Sequence, residues 1–223
     1  MSPAELLVWE ARCCAFVAPR LASADGAHDL AHVRRVVASA RRLAVEEGAD
    51  LAVVQIAAWL HDCVIVPKGS PDRAMASRWS ARDAGAWLAS AGYDETRIGS
   101  IEHAIAAHSF SAKIEPETPE ARVVQDADRL DSLGAIGLAR CLVTGQAMGG
   151  TIYDEADPFA ALGRALDDRA NSLDHLPIKL LTLVGTMRTA SARREAERRA
   201  EFLRAYARQL AHELGVEPAD WAR

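Results

Sequence analysis

Polar and apolar positions along this chain recur at the three-to-four residue spacing of helices almost from end to end. Residues 4–19 form an amphipathic stretch that stops near Pro19, and Ser23, Asp25 and Gly26 mark a turn. A second stretch runs from about His28 to Glu47 and is closed by Gly48. Asp50 caps the next, Leu51 to Leu60, which is apolar except for Gln55 and ends near Val64. Pro67 to Pro71 breaks the pattern. The spacing then predicts helices from Asp72 to Ala91, from Asp94 to about His108 and from Glu120 to about Val143. Residues 109–119 and 145–158 read as loops, and two more helices follow from Phe159, the last one charge-rich around Arg193. No alternating run demands a strand. The expectation is one all-α domain over residues 1–223, a single-domain helical bundle with C-terminal helices at 159–214 packed on its core.

Composition narrows this picture. Half of the residues are hydrophobic, so 223 residues can bury a sizeable core. The net charge of −5 speaks against stable nucleic-acid binding, while leaving room for a small anion held by a few local cations. Cys13, Cys14, Cys63 and Cys141 form no CxxC pair, which reads as reduced thiols of a cytoplasmic protein. No run approaches the roughly 18 apolar residues of a membrane span, so no membrane partner is expected. The first residues, with Glu5 and no basic cluster, do not read as a signal peptide.

The chemistry lies where polar groups interrupt apolar helices. His61 and Asp62 end the run that begins at Leu51, and burying two ionisable groups there is costly unless something pairs with them. Imidazole and carboxylate are both good ligands for a divalent metal. His32 lies upstream, four residues after His28 and on the same helix face. Asp128 lies downstream, between apolar Val124, Leu130 and Leu133. Four ligands of N and O type leave open positions on a six-coordinate ion, and the lack of cysteine ligands speaks against structural zinc.

The ordered set His32, His61, Asp62 and Asp128 resembles the HD-domain superfamily of metal-dependent phosphohydrolases. His32-Val-Arg-Arg-Val is similar to the first-histidine helix of that family, and Ala127-Asp128-Arg129-Leu130 to its last-aspartate segment. The match covers about residues 25–145. Pro67 to Pro71, Ala107 to Ser111, Gln125 to Asp131 and the tail pattern His175 with Lys179 resemble a bacterial subgroup of small HD hydrolases that includes nucleotide pyrophosphatases. Ile65 is a departure, where the subgroup would carry a polar residue.

The resemblance implies His32, His61, Asp62 and Asp128 as ligands of one divalent ion. Mn²⁺ leads, with Fe²⁺, Co²⁺, Ni²⁺, Zn²⁺ and Mg²⁺ as alternatives. Asp126 is the rival for the last ligand; Ala-Asp-Arg-Leu is the closer match and favours Asp128. Some family members use further histidines for a second metal, but His103 and His108, five apart, do not converge on a helix. The implied reaction is hydrolysis of a small phosphorylated metabolite, a nucleotide first of all, with a nucleoside triphosphate cleaved to monophosphate and pyrophosphate as the leading case. Asp62, His108 and Lys68 are the catalytic candidates. Lys68, Arg73, His28, His108 and Arg129 are the substrate-binding ones, with Asp131 as an orienting neighbour. The alternative is a nucleotide-sensing HD module without catalysis. The final helix could serve a homodimer.

Overall fold

A computed structural model describes residues 1–21, 29–66 and 70–223. Among them the regular structure is helical, apart from one isolated parallel bridge between Thr151 and Asn171. The fold is all-α, as the pattern predicts. No helix among the described residues is long and apolar enough to cross a membrane. The chain divides into two compact units: Met1–Asp128 with Arg188–Ala192, and Arg129–Met187 with Arg193–Arg223.

The first unit is built on α3 (Leu51–Leu60), which packs against α1 (Pro3–Leu21), α2 (Leu30–Glu47) and α5 (Glu95–His108). Every α3 residue from Ala52 to Leu60 is buried, because this helix has neighbours on most of its circumference. Asp50 caps it, accepting from the Ala52 N–H at 2.8 Å. Helix α2 buries only one stripe, His32, Val33, Val36, Val37, Ala40, Leu43 and Ala44. Asp29 caps its start, and Gly48, at φ +68°, ends it in the left-handed region that glycine adopts without penalty. Helix α1 continues past Pro19 to buried Leu21; a proline so near the end removes only one late hydrogen bond. Helix α4 (Ala76–Ser90) lies close to α5 because Gly85 leaves room for Glu102, whose Oε1 would lie 1.9 Å from an added Cβ. The helix expected from Asp72 starts later. Pro71–Met75 form a 3-10 turn capped by Ser70, which accepts from the Asp72 N–H, and α4 follows.

The stretch from Glu120 to Val143 is not one helix but two, α6 (Pro119–Leu130) and α7 (Gly134–Ala147). The Ser132 and Leu133 N–H groups turn back to Arg129 and Leu130, Leu133 is extended, and Gly134 takes φ +71°. The second unit also corrects the expectation of two helices after Phe159: residues 159–174 contain no α-helix. That segment is held instead by the bridge at Thr151 and by a buried ion pair. Arg164 donates to both oxygens of Asp174, at 2.6 and 2.9 Å, and the Asp167 N–H adds a third bond at 2.8 Å. A π turn (Leu176–Leu180), a 3-10 turn (Leu181–Thr186) and the long α8 (Ala190–Leu214) follow. From Ala196 to Ala211, α8 buries Ala196, Ala200, Leu203, Ala207 and Ala211, a helical stripe of four alanines and one leucine.

Candidate metal centre

Four segments of the first unit bring ionisable groups together. His32 lies in the first turn of α2, where its backbone N–H donates to the Asp29 cap. His61 is the residue that closes α3, and Asp62 follows it in the turn. His108 is the last residue of α5, and Asp128 lies near the end of α6. His61 is fully buried, and His32 and His108 nearly so. Removing these rings from water is costly, and the apolar body of α3 holds them there. Its Ile56 and Leu60, both fully buried, each contribute roughly 1.5–3 kcal/mol.

Two rings have a fixed orientation. His61 Nδ1 lies 2.8 Å from the Ala58 carbonyl oxygen, and His108 Nδ1 lies 2.6 Å from that of Ile105. A carbonyl only accepts, so both Nδ1 atoms carry the hydrogen. In the neutral rings Nε2 is then a bare lone pair. His61 Nε2 faces His32 Nε2 at 3.3 Å, Asp62 Oδ2 at 3.6 Å and Asp128 Oδ1 at 3.9 Å. His32 Nε2 lies 3.4 Å from the same Asp128 oxygen, and His108 Nε2 lies 3.5 Å from Asp62 Oδ1. Donor atoms of His32, His61 and Asp128 form one group with metal-holding spacing, and those of His61, Asp62 and His108 form a second that shares His61. Neighbouring ligand atoms around an ion at about 2.1 Å are roughly 3 Å apart, so the spacing and the N and O donor types both fit a divalent cation.

The electrostatics agree with this. Burial lowers the pKa of His61, outweighing the carboxylates of Asp62 and Asp128, and keeps it neutral as a ligand must be. Burial also opposes charge on His108, but its bond to Asp62 and the two carboxylates raise it above the ordinary value. Asp128 has desolvation against it, yet His32 and the facing rings hold it well below the usual carboxylate range.

Asp126 has a different place. Two residues away on a helix is about 200° around it, so Asp126 and Asp128 face apart. The fully buried Asp126 carboxylate accepts from the Arg188 N–H at 2.9 and 3.1 Å, and from the Thr189 N–H and hydroxyl, each at 2.8 Å. It clamps the chain at the start of α8, where Thr189 in turn accepts from the Ala192 N–H. Sequence reasoning did not find this clamp; the only signal was Thr189 preceding a helix, a capping pattern that names no partner.

Other candidates are spread out. Arg73 donates to the Val66 carbonyl at 2.8 Å, and Ile65 beside it is exposed. His103 accepts from the Glu117 N–H at 3.1 Å and belongs to neither metal-holding group. In the second unit, Arg129 donates to the Thr186 carbonyl at 2.7 Å and Asp131 pairs with Arg140 at 2.8 Å. His28 and Lys68 lie outside the described residues.

The chain is similar to known proteins in sequence and fold. The HD domain family model covers residues 29–133, a span that contains all five clustered residues. The uncharacterised protein YpgQ of Bacillus subtilis is 33% identical over 199 residues, covering 87% of this chain and 88% of its own. A crystal structure of B. subtilis YpgQ in complex with ADP superposes with a TM-score of 0.72 at 32% identity, covering 93% of this chain and 96% of that one. An HD-superfamily hydrolase from Bacillus thuringiensis gives 0.73 at 31% identity, with coverage of 95% and 100%. The chain therefore belongs to the HD-domain superfamily.

Proposed function

We propose that this protein is a divalent-metal-dependent phosphohydrolase acting on a small phosphorylated metabolite, with a nucleotide as the leading substrate class. The observation that carries the reading is the convergence of His32, His61, Asp62, His108 and Asp128, whose donor atoms form two groups with metal-holding spacing that share the fully buried His61. His32, His61, Asp62 and Asp128 would hold the ion, with Mn²⁺ as first choice. A divalent cation there supplies Lewis acidity, lowering the pKa of water toward neutrality and polarising a phosphoryl oxygen. His108, paired with Asp62 and kept protonated more readily than a free histidine, donates its Nε2 proton to the leaving oxygen. Lys68 and Arg73 offset the negative charge of a polyphosphate, and His28 adds a contact to it. The bond between the attacked phosphorus and the leaving oxygen breaks as the water oxygen adds. For a nucleoside triphosphate attacked at the α-phosphorus, the products are the monophosphate and pyrophosphate. The B. subtilis YpgQ structure with ADP supports a nucleotide over other phosphoesters. Four free thiols, with Cys13 and Cys63 pushed up to about 12 by burial, suit a reducing cytoplasm.

A panel of nucleotides and phosphoesters, assayed for phosphate and pyrophosphate release with each metal in turn, tests the reading. The expected result is turnover with Mn²⁺ and loss of at least a hundredfold in Asp62→Ala. Nucleotide binding with no product under any metal would favour the sensing module instead.

A further inference from the structure

Gln125 belongs to neither metal-holding group, yet it lies three residues before Asp128 on α6 and so on the same side of that helix. It is almost completely buried. Its Nε2 donates to the Ala107 carbonyl at 2.7 Å, and Ala107 precedes His108 at the end of α5. The last carbonyls of a helix have no partner within it, and here three in a row are met by buried side chains. The Ile105 carbonyl accepts from His108 Nδ1 at 2.6 Å, that of Ala106 from Ser77 Oγ at 2.9 Å, and that of Ala107 from Gln125. Gln125 Oε1 is also buried and finds no donor among the described residues. A buried amide satisfied on one side only is unfavourable for the fold. What the amide supplies is a single bond, and that bond joins the helix of Asp128 to the helix end of His108.

We propose that Gln125 is a positioning residue: its bond to the Ala107 carbonyl sets the end of α5 against α6, and so holds the His108 ring where Nε2 meets Asp62 and reaches a leaving oxygen. The inference rests on the hydrolysis proposed above, in which His108 gives that proton. Gln125 acts through His108 and is not itself catalytic. Without its donor the Ala107 carbonyl is buried and unpaired, and the last turn of α5 shifts to satisfy it. His108 Nδ1 then loses the Ile105 carbonyl, and Nε2 loses its place 3.5 Å from Asp62 Oδ1. His61 keeps its orientation, because its Nδ1 bond is to Ala58 within α3.

The test uses Gln125→Met, which keeps the volume and removes the donor, and Gln125→Asn, whose amide is one methylene too short to reach. In the intact protein without Mn²⁺, the two buried Nδ1–H protons give slowly exchanging ¹H–¹⁵N signals, one from His61 and one from His108. The expected result in each variant is a His108 signal that shifts and exchanges at least tenfold faster, with the His61 signal as in wild type. One Mn²⁺ per chain still binds with a Kd within threefold of wild type. For the nucleotide that wild type turns over, kcat falls at least tenfold and KM stays within threefold. A His108 signal unchanged in both variants, or His61 and His108 signals altered alike, would overturn the positioning. So would an unchanged kcat where the His108 signal has moved, or a Mn²⁺ affinity that falls as far as kcat, which would put Gln125 in the service of Asp128. A wild type without turnover under any metal would overturn the hydrolysis alone, because the two ring signals read the positioning without it.

Discussion

Asp126 and Asp128 are two residues apart and chemically identical, yet their surroundings demand opposite responses to mutation. Asp126→Ala removes the acceptor of three donors, two of them backbone N–H groups in a buried place. At about 1.5 kcal/mol for each hydrogen bond to a charged group, the loss is about 4–5 kcal/mol. Asp126→Asn keeps one acceptor oxygen and should lose about half of that. With a urea slope of about 2.5 kcal/mol per M, the Ala variant unfolds at a midpoint about 1.5–2 M lower. Its metal content in the folded protein stays as in wild type, because no atom of the cluster has changed. Asp128→Asn behaves in reverse. It removes the carboxylate oxygen that faces both His32 and His61, so metal binding is lost. Its metal-free stability falls by less than that of Asp126→Ala, since Asn is nearly isosteric and the side chain is only part-buried. Urea unfolding of metal-stripped protein followed by tryptophan fluorescence, alongside elemental analysis of the same samples, reads both quantities. A metal-free, fully stable Asp126→Asn together with a metal-loaded Asp128→Asn would refute the assignment.

Three further outcomes follow from the second unit. Arg164→Ala leaves the buried Asp174 carboxylate without its bidentate partner and should cost about 3–5 kcal/mol in thermal unfolding, whereas the double change Arg164→Met with Asp174→Leu should recover most of it. Gly134→Ala forces a side chain into φ +71°, with its Cβ 3.2 Å from Arg199 Cγ, and should cost about 1–2 kcal/mol by the same measurement. Glu195 is held at about 2 by its hydrogen bonds to Arg198 and Arg199, below its usual 4.5. Its folded pKa is depressed, so its stabilisation is complete above pH 4.5 and is lost as pH falls toward 2. After allowance for solvent screening, the wild type should lose about 1 kcal/mol more than Glu195→Gln between pH 5 and pH 2.5. Parallel acid curves for the two proteins would sink that reading.

The elements that sequence reasoning placed well share a feature: their boundaries are written locally. Asp29, Asp50 and Asp94 cap α2, α3 and α5 through their own side chains, and Gly48 ends α2. The metal-type cluster was legible for the same reason, because His61 and Asp62 interrupt a run too apolar to be left in water. What was not legible depends on contacts distant in sequence. The break at Leu133 carries no proline, and only the conformation of Gly134 reveals it. Residues 159–174 look helical by composition, but the pairing of Arg164 with Asp174 holds them in an irregular path. Asp126 stands as the rival of the favoured Asp128 until the backbone of Arg188 and Thr189 occupies it.

The central claim is that one divalent ion sits among His32, His61, Asp62 and Asp128. Crystals of the protein soaked in Mn²⁺, with data collected near the manganese edge, give the most direct answer. The account predicts one strong anomalous peak at about 2.0–2.3 Å from His32 Nε2, His61 Nε2 and an oxygen of each aspartate. A manganese peak bound elsewhere, or none at these side chains at millimolar metal, would contradict it.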